Sequence, residues 1–404
     1  MADFIYPFDG KGKKGYNHTI PSKRGFRAMQ EQKTQGQLPA FFPLEACVLR
    51  LRALYERRGF RQVSPSMFED YTLYLDNKNF LGTERILTFM DPAGRLLTVK
   101  PDVTLSIAKS VGQGQLACAE KLYYTDEVVR FSPSNNAYKV LPQIGLERIG
   151  KEDTFANLEV IDLALRSLAL IGEHSAVDIS HLAFVSGLLE DAQLPPDLER
   201  ELLGVIRAKN IHDAAALLES AGVGGGEKER ILTLAALSGP FPQELERAKT
   251  LVRGPRMERA YDELSAVANI LRPGAGQSVN LDFSVVNDLD YYNGLIFRGY
   301  IKGISGVVCA GGRYDNLMKK LGKQSSAIGF AVFLHRLEGY FAKYDRQTDL
   351  LITYAQPCDW KALLEKVSEF NRQGLTVRCE AQGVDLSGIC YARQIEFPQQ
   401  GGED

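Results

Sequence analysis

The 404-residue sequence predicts an α+β fold in which an antiparallel β-sheet is flanked by helices. Two long apolar and aromatic segments, 121–130 and 140–148, predict adjacent strands on either side of the polar loop 132–136. Apolar residues recur at three- and four-residue spacing over 43–58 and 155–171, which predicts two amphipathic helices. Long strands with flanking helices, without a regular alternation, are typical of the α+β class.

The remaining elements follow from local pattern. The turn Asp91-Pro92-Ala93-Gly94 separates two short apolar runs and predicts a hairpin. Elsewhere β-type and helix-type runs are bounded by glycine, proline and polar residues. The further predicted strands are 60–65, 85–90, 96–99, 177–180, 279–283, 291–300 and 306–310, with a short helix at 104–111 and a strand–helix pair over 326–341.

The domain organisation is predicted from changes in composition. Residues 1–37 are polar and glycine-rich and predict an N-terminal arm, followed by a core over 38–345. Within the core, about 186–272 is rich in Leu, Ala, Glu and Arg and predicts an all-helical insertion. Residues 346–404 predict a truncated C-terminal α/β segment: one strand, a helix, a second strand ending at Cys379, then a polar end without regular structure.

Composition narrows the class of protein. The chain is 45% hydrophobic and 24% charged with a formal net charge of −2, which argues against a protein whose main task is to bind nucleic acid. Its six cysteines form no CxxC pair and its five histidines do not cluster with them, so we predict no metal site. No stretch has the apolar length of a membrane helix or signal peptide, and we predict a cytoplasmic protein.

Four segments carry a possible site: KPDVT at 100–104, Arg130 with QIGLE at 143–147, NDLDYYNG at 287–294 and AGGRYD at 310–315. Because residues two apart on a strand share a face, Gln143, Gly145 and Glu147 should point the same way. Asp102 and Thr104 offer a carboxylate and a hydroxyl to a ligand ammonium. Tyr292 and Tyr314 would add aromatic walls with hydroxyl groups.

Each residue also has a plainer interpretation. Asp102 on its own is best explained as a helix N-cap. Glu147 could be a solvent-facing strand residue, and Arg336 in isolation is more often a surface residue. Only the four segments together, in this order, favour a binding site.

In order, spacing and context the four segments resemble class II aminoacyl-tRNA synthetases, and histidyl-tRNA synthetase in particular, over roughly residues 40–345. Segments 287–294 and 310–315 resemble its two histidine signatures, RGLDYY(T/N)G and AGGRYD. Residues 327–337 resemble the third class motif, with Arg336 at the position that clamps ATP. The resemblance implies a histidine-like pocket, in which Asp102, Thr104 and Gln143 hold the amino group, Glu147, Tyr292 and Tyr314 hold the imidazole, and Arg130 and Tyr291 also line the site.

The chain departs from the synthetase at several of these positions. Asn287 replaces the signature arginine, and an amide cannot supply the fixed positive charge that stabilises an acyl phosphate transition state. The loop after Arg130 lacks the acidic residue expected there, and Phe333 stands where glycine is usual. The tail holds about half of an anticodon-binding domain. We therefore predict no catalytic residue and no cofactor, with Asn287 a degenerate catalytic position and Arg336 a vestigial nucleotide site.

These departures together resemble the regulatory subunit of short-form ATP phosphoribosyltransferase, and residues 281–288 resemble the clostridial form of the signature. The resemblance implies a subunit that the catalytic subunit requires in the first step of L-histidine biosynthesis, contributing to histidine feedback control. It implies a homodimer within a hetero-octamer, L-histidine as a possible ligand, and tRNA as an unlikely partner. The alternatives are a divergent histidyl-tRNA synthetase and a stand-alone synthetase-like amino-acid-binding protein.

Overall fold

The computed structural model describes residues 43–75, 85–112, 116, 118–151, 153–286, 292–342 and 348–398. The chain divides into two compact units, Met1–Glu338 and Gly339–Asp404. The predicted N-terminal arm, 1–37, lies outside the described residues. The predicted domain boundary after residue 345 falls in 343–347, also outside them, and stays a prediction.

The elements of the described residues are numbered here in chain order. The helices are α1 (Pro43–Arg57), α2 (Tyr71–Leu75), α3 (Val103–Ser110), α4 (Thr154–Ile171), α5 (Leu182–Asp191), α6 (Pro196–Arg207), α7 (Ile211–Ser220), α8 (Gly225–Ala236), α9 (Phe241–Lys249), α10 (Gly254–Ile270), α11 (Asp315–Lys320), α12 (Glu338–Ala342) and α13 (Trp360–Arg372). The strands are β1 (Arg61–Gln62), β2 (Phe68–Asp70), β3 (Thr88–Met90), β4 (Leu96–Val99), β5 (Glu120–Ser132), β6 (Ala137–Gly150), β7 (Ser175–His181), β8 (Ser238–Pro240), β9 (Gln277–Asp282), β10 (Leu295–Ile301), β11 (Cys309–Arg313), β12 (Ser326–Phe333), β13 (Thr348–Tyr354), β14 (Val377–Ala381) and β15 (Tyr391–Phe397).

A nine-stranded sheet dominates the first unit, in the order β1-β5-β6-β12-β11-β10-β7-β9-β8. Its pairs are antiparallel except β1 with β5 and β7 with β9. The β5–β6 hairpin closes through a short 3₁₀ turn at Pro133–Asn135, and Asn136 takes a left-handed conformation that asparagine tolerates. The predicted α+β class is confirmed. A small separate sheet, β2-β4-β3, contains the predicted hairpin around residues 91–94.

One face of the large sheet is covered by helix α4, which packs beneath β10, β11 and β12. Its N-cap is Asp153, whose carboxylate accepts from the Ala156 amide. Gly299 on β10 is needed on this face, because a Cβ there would stand 2.6 Å from Leu168 Cδ1. Helix α1 packs on α4, with Tyr55 fully buried and hydrogen-bonded to Ser167. The candidate site lies on the opposite face of the sheet.

The predicted insertion contains the helices α5 to α10, but it is not entirely helical. Residues Ser238–Pro240 form β8, which pairs antiparallel with β9 and closes the edge of the sheet. The sequence interpretation took Gly239-Pro240 only as a break between helices. It did not consider that β9, without β8, would be an edge strand whose unpaired N–H and C=O groups can pair with a short extra strand.

The second unit begins as predicted, with a β13–α13–β14 succession, but it does not lose regular structure after Cys379. A third strand, β15, pairs parallel with β13, which gives the order β14-β13-β15. Leu350 and Ile352 of the central strand β13 are fully buried. The prediction of a polar end without regular structure is therefore wrong for residues 391–397. They form β15, because the buried central strand β13 pairs with a neighbour on both of its edges.

Candidate functional site

The carboxylate of Glu147 is the centre of the candidate site. The residue lies on β6 with 1% of its surface exposed, so the alternative of a solvent-facing strand residue is wrong. The Thr104 hydroxyl donates to Glu147 Oε1 at 2.7 Å, and the Tyr314 hydroxyl donates to Oε2 at 2.6 Å. Three of the four sequence segments thus meet at one carboxylate.

Burial raises the pKa of Glu147 to about 8, although the hydrogen bonds from Tyr314 and Thr104 favour the charged form. The negative charge of Asp102 nearby adds to the rise. No lysine, arginine or histidine of the described residues forms an ion pair with Glu147. The site therefore holds a buried carboxylate that a cationic or N–H-donating ligand group would stabilise.

Glycines beside Glu147 make room on the sheet. Glu147 lies opposite Gly329 on β12, which lies opposite Gly312 on β11, and residues opposite each other on antiparallel strands share a face. A Cβ on Gly329 would overlap Glu147 Oε2, and one on Gly312 would stand 2.8 Å from Tyr292 Cδ1. The second glycine of AGGRYD is thus needed because Tyr292 lies directly against the backbone.

The next row of the same face is also built from small residues. Gly145 lies opposite Ala331, and Ala331 lies opposite Ala310. The hydroxyl of the buried Tyr124 would stand 2.5 Å from a Cβ on Gly145. Gly145 therefore gives room to Tyr124 of the neighbouring strand, a contact that the sequence interpretation did not anticipate.

Asp102 combines a structural role with a place in the site. Its Oδ1 accepts the Leu105 amide at 2.9 Å and caps α3, as the plainer sequence interpretation expected. Its Oδ2 lies 3.4 Å from Arg130 Nη2, and Arg130 Nε donates to the Pro101 carbonyl at 2.9 Å. Asp102 is 3% exposed, so its charge is buried together with a cationic partner.

Two buried lysines, which the sequence interpretation did not single out, fix helix α3. Lys100, fully buried, donates to Asp126 on β5 and to the Pro65 carbonyl. Lys323 donates to the carbonyls of Lys109 and Val111 at the C-terminal end of α3, where a cation is favoured by the helix dipole. Thr104 is thereby held against Glu147 by anchors at both ends of its helix.

The other predicted site residues divide into three groups. Gln143 and Tyr292 are buried, and Gln143 shares the face of Glu147. Asn287 and Tyr291 lie outside the described residues. Arg336 lies in the 3₁₀ turn after β12, with Nη1 3.8 Å from where a Cβ on Gly306 would be. The ligand contacts assigned to these residues stay predictions.

Two comparisons bear on the family. The histidyl-tRNA synthetase family model matches residues 38–337. The chain is 30% identical over 336 residues to an ATP phosphoribosyltransferase regulatory subunit of Clostridium kluyveri, covering 80% of this chain and 86% of that protein. The chain belongs to the ATP phosphoribosyltransferase regulatory subunit family.

Solved structures support the same fold. A protein from Bacillus halodurans, described as an ATP phosphoribosyltransferase regulatory subunit/histidyl-tRNA synthetase, matches with a TM-score of 0.69 at 21% identity over 98% of this chain and 100% of that one. A chain of the ATP phosphoribosyl transferase (HisG:HisZ) complex from Thermotoga maritima matches with a TM-score of 0.57 at 22% identity, covering 73% of this chain and 98% of that one. The predicted synthetase-like architecture is therefore confirmed.

No helix among the described residues is long and apolar enough to cross a bilayer. Within the same part of the chain, no group of three or more His, Cys, Asp or Glu side chains is arranged to hold a metal ion.

Proposed function

We propose that this protein is the regulatory subunit of a short-form ATP phosphoribosyltransferase, required for the activity of a separate catalytic subunit and contributing to feedback control by histidine. Family membership supports the regulatory role. The observation that carries the ligand assignment is the buried Glu147 carboxylate, held by Thr104 and Tyr314 without a cation from the described residues.

Histidine suits this site by its chemistry. Its imidazole ring can donate an N–H to the Glu147 carboxylate and, when protonated, bring the positive charge that the pocket lacks. Gly329 leaves room for the Glu147 carboxylate itself, which keeps this acceptor on the face of the sheet where a ring would bind. A ligand cation would also restore the ordinary, lower pKa of Glu147, so ligand binding and ionisation of this carboxyl should favour each other.

Feedback requires that histidine bind the inhibited and active states of the complex with different affinity. Helix α3 offers a route, because Thr104 on this helix donates directly to Glu147. A ligand that displaces this hydroxyl would change the hydrogen bonding of a helix fixed at both ends by Lys100 and Lys323. We propose that ligand binding in the pocket changes the position or hydrogen bonding of α3, and that this change is transmitted to the catalytic subunit.

We propose that the protein itself is non-catalytic. Asn287 carries no charge, and removing one preorganised donor to a developing anion typically lowers the rate roughly 100-fold or more. The synthetase alternative would need this charge from elsewhere. We also propose that tRNA is not a ligand, which is supported by membership of a family of regulatory subunits.

The proposed partner is the catalytic subunit of ATP phosphoribosyltransferase, in a hetero-octamer that contains homodimers of this chain. The Thermotoga maritima protein of similar fold was solved as part of an ATP phosphoribosyl transferase (HisG:HisZ) complex, which supports a partner of this kind. The six cysteines are all free, which is typical of the reducing cytoplasm, and we propose that compartment.

Reconstitution tests this function. Purified protein is mixed with a short-form catalytic subunit from the same source, and phosphoribosyl-ATP formation is measured with and without L-histidine. We expect activation by the protein and inhibition by histidine. Absence of activation would overturn the regulatory role, and charging of histidine tRNA by the protein alone would overturn the non-catalytic assignment.

A further inference from the structure

A second cavity, of about 580 Å³, lies on the opposite side of the sheet from Glu147. His181 follows Ser180 on β7, and Ser180 lies in the same row as Ile296 and Gly312, so His181 points to the other face. Helices α5, α10 and α11 provide walls, and residues 292–294 also line the cavity. Its volume is in the range of small-molecule sites.

His181 lines this cavity and is 3% exposed. Its Nδ1 has no hydrogen-bond partner among the described residues, and its Nε2 lies 3.4 Å from Glu263 Oε2 in an ion-pair contact that does not satisfy the geometry of a hydrogen bond. A buried polar atom without a partner is destabilising, and such atoms are rare in folded proteins. His181 thus offers a polar contact to a molecule that enters the cavity.

The charged groups around the cavity are unequally paired. Arg256 pairs with Glu190, and Arg313 pairs with Asp315 and Glu263. By contrast, Arg259 on α10 and Lys319 on α11 are exposed and have no ion-pair partner in the part of the chain that the structure describes.

Glu199 is a lining carboxylate that also has no ion-pair partner among the described residues. In total, four arginine and lysine side chains and three carboxylates line the cavity. Arginine and lysine are the side chains that bind phosphate and carboxylate groups. The excess of unpaired positive charge favours an anionic ligand over a cationic one.

We propose that this cavity binds a small anion carrying phosphate or carboxylate groups, with Arg259 and Lys319 as its charged contacts and His181 as its hydrogen-bonding contact. Tyr292 borders both this cavity and the Glu147 site, but none of the three proposed contacts belongs to the Glu147 site, and the proposal does not depend on the function proposed above. Arg259 and Lys319 lie on different helices, so one ligand would bridge α10 and α11.

Isothermal titration calorimetry on the full chain at low ionic strength tests the site, with inorganic phosphate, pyrophosphate and citrate as separate probes. We expect saturable binding of one molecule per chain for at least one probe. Stronger binding of pyrophosphate identifies a phosphate-bearing ligand, and stronger binding of citrate identifies a carboxylate-bearing one. Absence of saturable binding for all three probes would overturn the proposal.

Variants separate a defined site from general charge attraction. Arg259→Ser and Lys319→Ser should each weaken binding roughly tenfold, since each removes a charged contact. Arg200→Ser is the matched control, because Arg200 is an exposed arginine on α6 that does not line the cavity. Equal weakening by Arg200→Ser would show attraction to net charge alone and would contradict a site.

His181→Asn tests the buried contact and should weaken binding with unchanged stoichiometry. Its folding is checked by the midpoint of thermal unfolding. If that variant does not fold, the two exposed positions, Arg259 and Lys319, still decide the outcome.

Discussion

The two buried carboxylates of the pocket, Glu147 and Asp102, have opposite surroundings. Asp102 caps helix α3 and lies beside the Arg130 guanidinium. Glu147 receives two hydroxyl donors and no cation from the described residues. Asp102 thus has a cationic partner within the fold and Glu147 has none among the described residues, and we propose that a ligand supplies it.

Keeping an unpaired carboxylate away from water is unfavourable, which is why its pKa rises. A residue that served only stability could be an amide or an apolar group at this place. Strongly perturbed carboxyls with a defined geometry are common at functional sites. We therefore expect that Glu147 lowers the folding stability of the ligand-free protein and stabilises the protein when a ligand is bound.

The largest expected effect is on the pH dependence of stability. The folded protein retains a proton on Glu147 up to about pH 8, whereas the unfolded carboxyl releases it near 4.5. This carboxyl should therefore lower the free energy of unfolding as pH rises from about 4.5 to 8, by at most ~5 kcal/mol. Glu147→Gln lacks this group, so its stability relative to the parent should increase over the same window.

Urea unfolding at pH 5, 7 and 9 measures this change. The free energy of unfolding of Glu147→Gln minus that of the parent should rise with pH between 5 and 8 and then level off. A difference that stays constant across the three pH values would show that the pKa of Glu147 is not raised in the folded protein. The contrast with Asp102 would then disappear.

The next effect is on ligand affinity. Glu147→Gln keeps the shape of the side chain but removes its charge, and the Kd for L-histidine should rise on the order of 100-fold, as expected for loss of a buried charged partner. Calorimetry at pH 7.5 measures it. Glu127→Gln, an exposed change on β5, is the matched control and should leave the Kd unchanged.

Asp102 should give the smallest effects. Asp102→Asn keeps an oxygen that can accept the Leu105 amide, so stability should change little, while Asp102→Ala removes the cap and should lower the free energy of unfolding by about 1 kcal/mol. The histidine Kd of Asp102→Asn should rise less than that of Glu147→Gln, because Arg130 already compensates the Asp102 charge. If calorimetry gave the reverse order, Asp102 would be the main ligand contact.

The sequence predicted the sheet better than the site. The long β5 and β6 segments and the periodic helix α4 carry strong local patterns, and their predictions are confirmed. In contrast, β15 mixes apolar, polar and charged residues at an exposed edge, and only its pairing with the buried β13 makes it a strand.

The site's residue types were visible in the sequence, but their partners were not. That Glu147 accepts from Thr104 and Tyr314 depends on the register of β6 with β12 and on the placement of α3, which no local pattern specifies. The same holds for Lys323, whose partners are more than 200 residues away in the chain. A lone buried histidine such as His181 has no spacing that distinguishes it from a core residue.

The central claim, that Glu147 binds the histidine which controls the partner enzyme, is tested most directly by inhibition of the reconstituted complex. Phosphoribosyl-ATP formation is measured against L-histidine concentration with the parent chain, Glu147→Gln and Glu127→Gln. The account predicts equal activation without histidine for all three, and a half-inhibitory concentration raised at least roughly tenfold for Glu147→Gln alone. An unchanged half-inhibitory concentration for Glu147→Gln, at full activation, would contradict it.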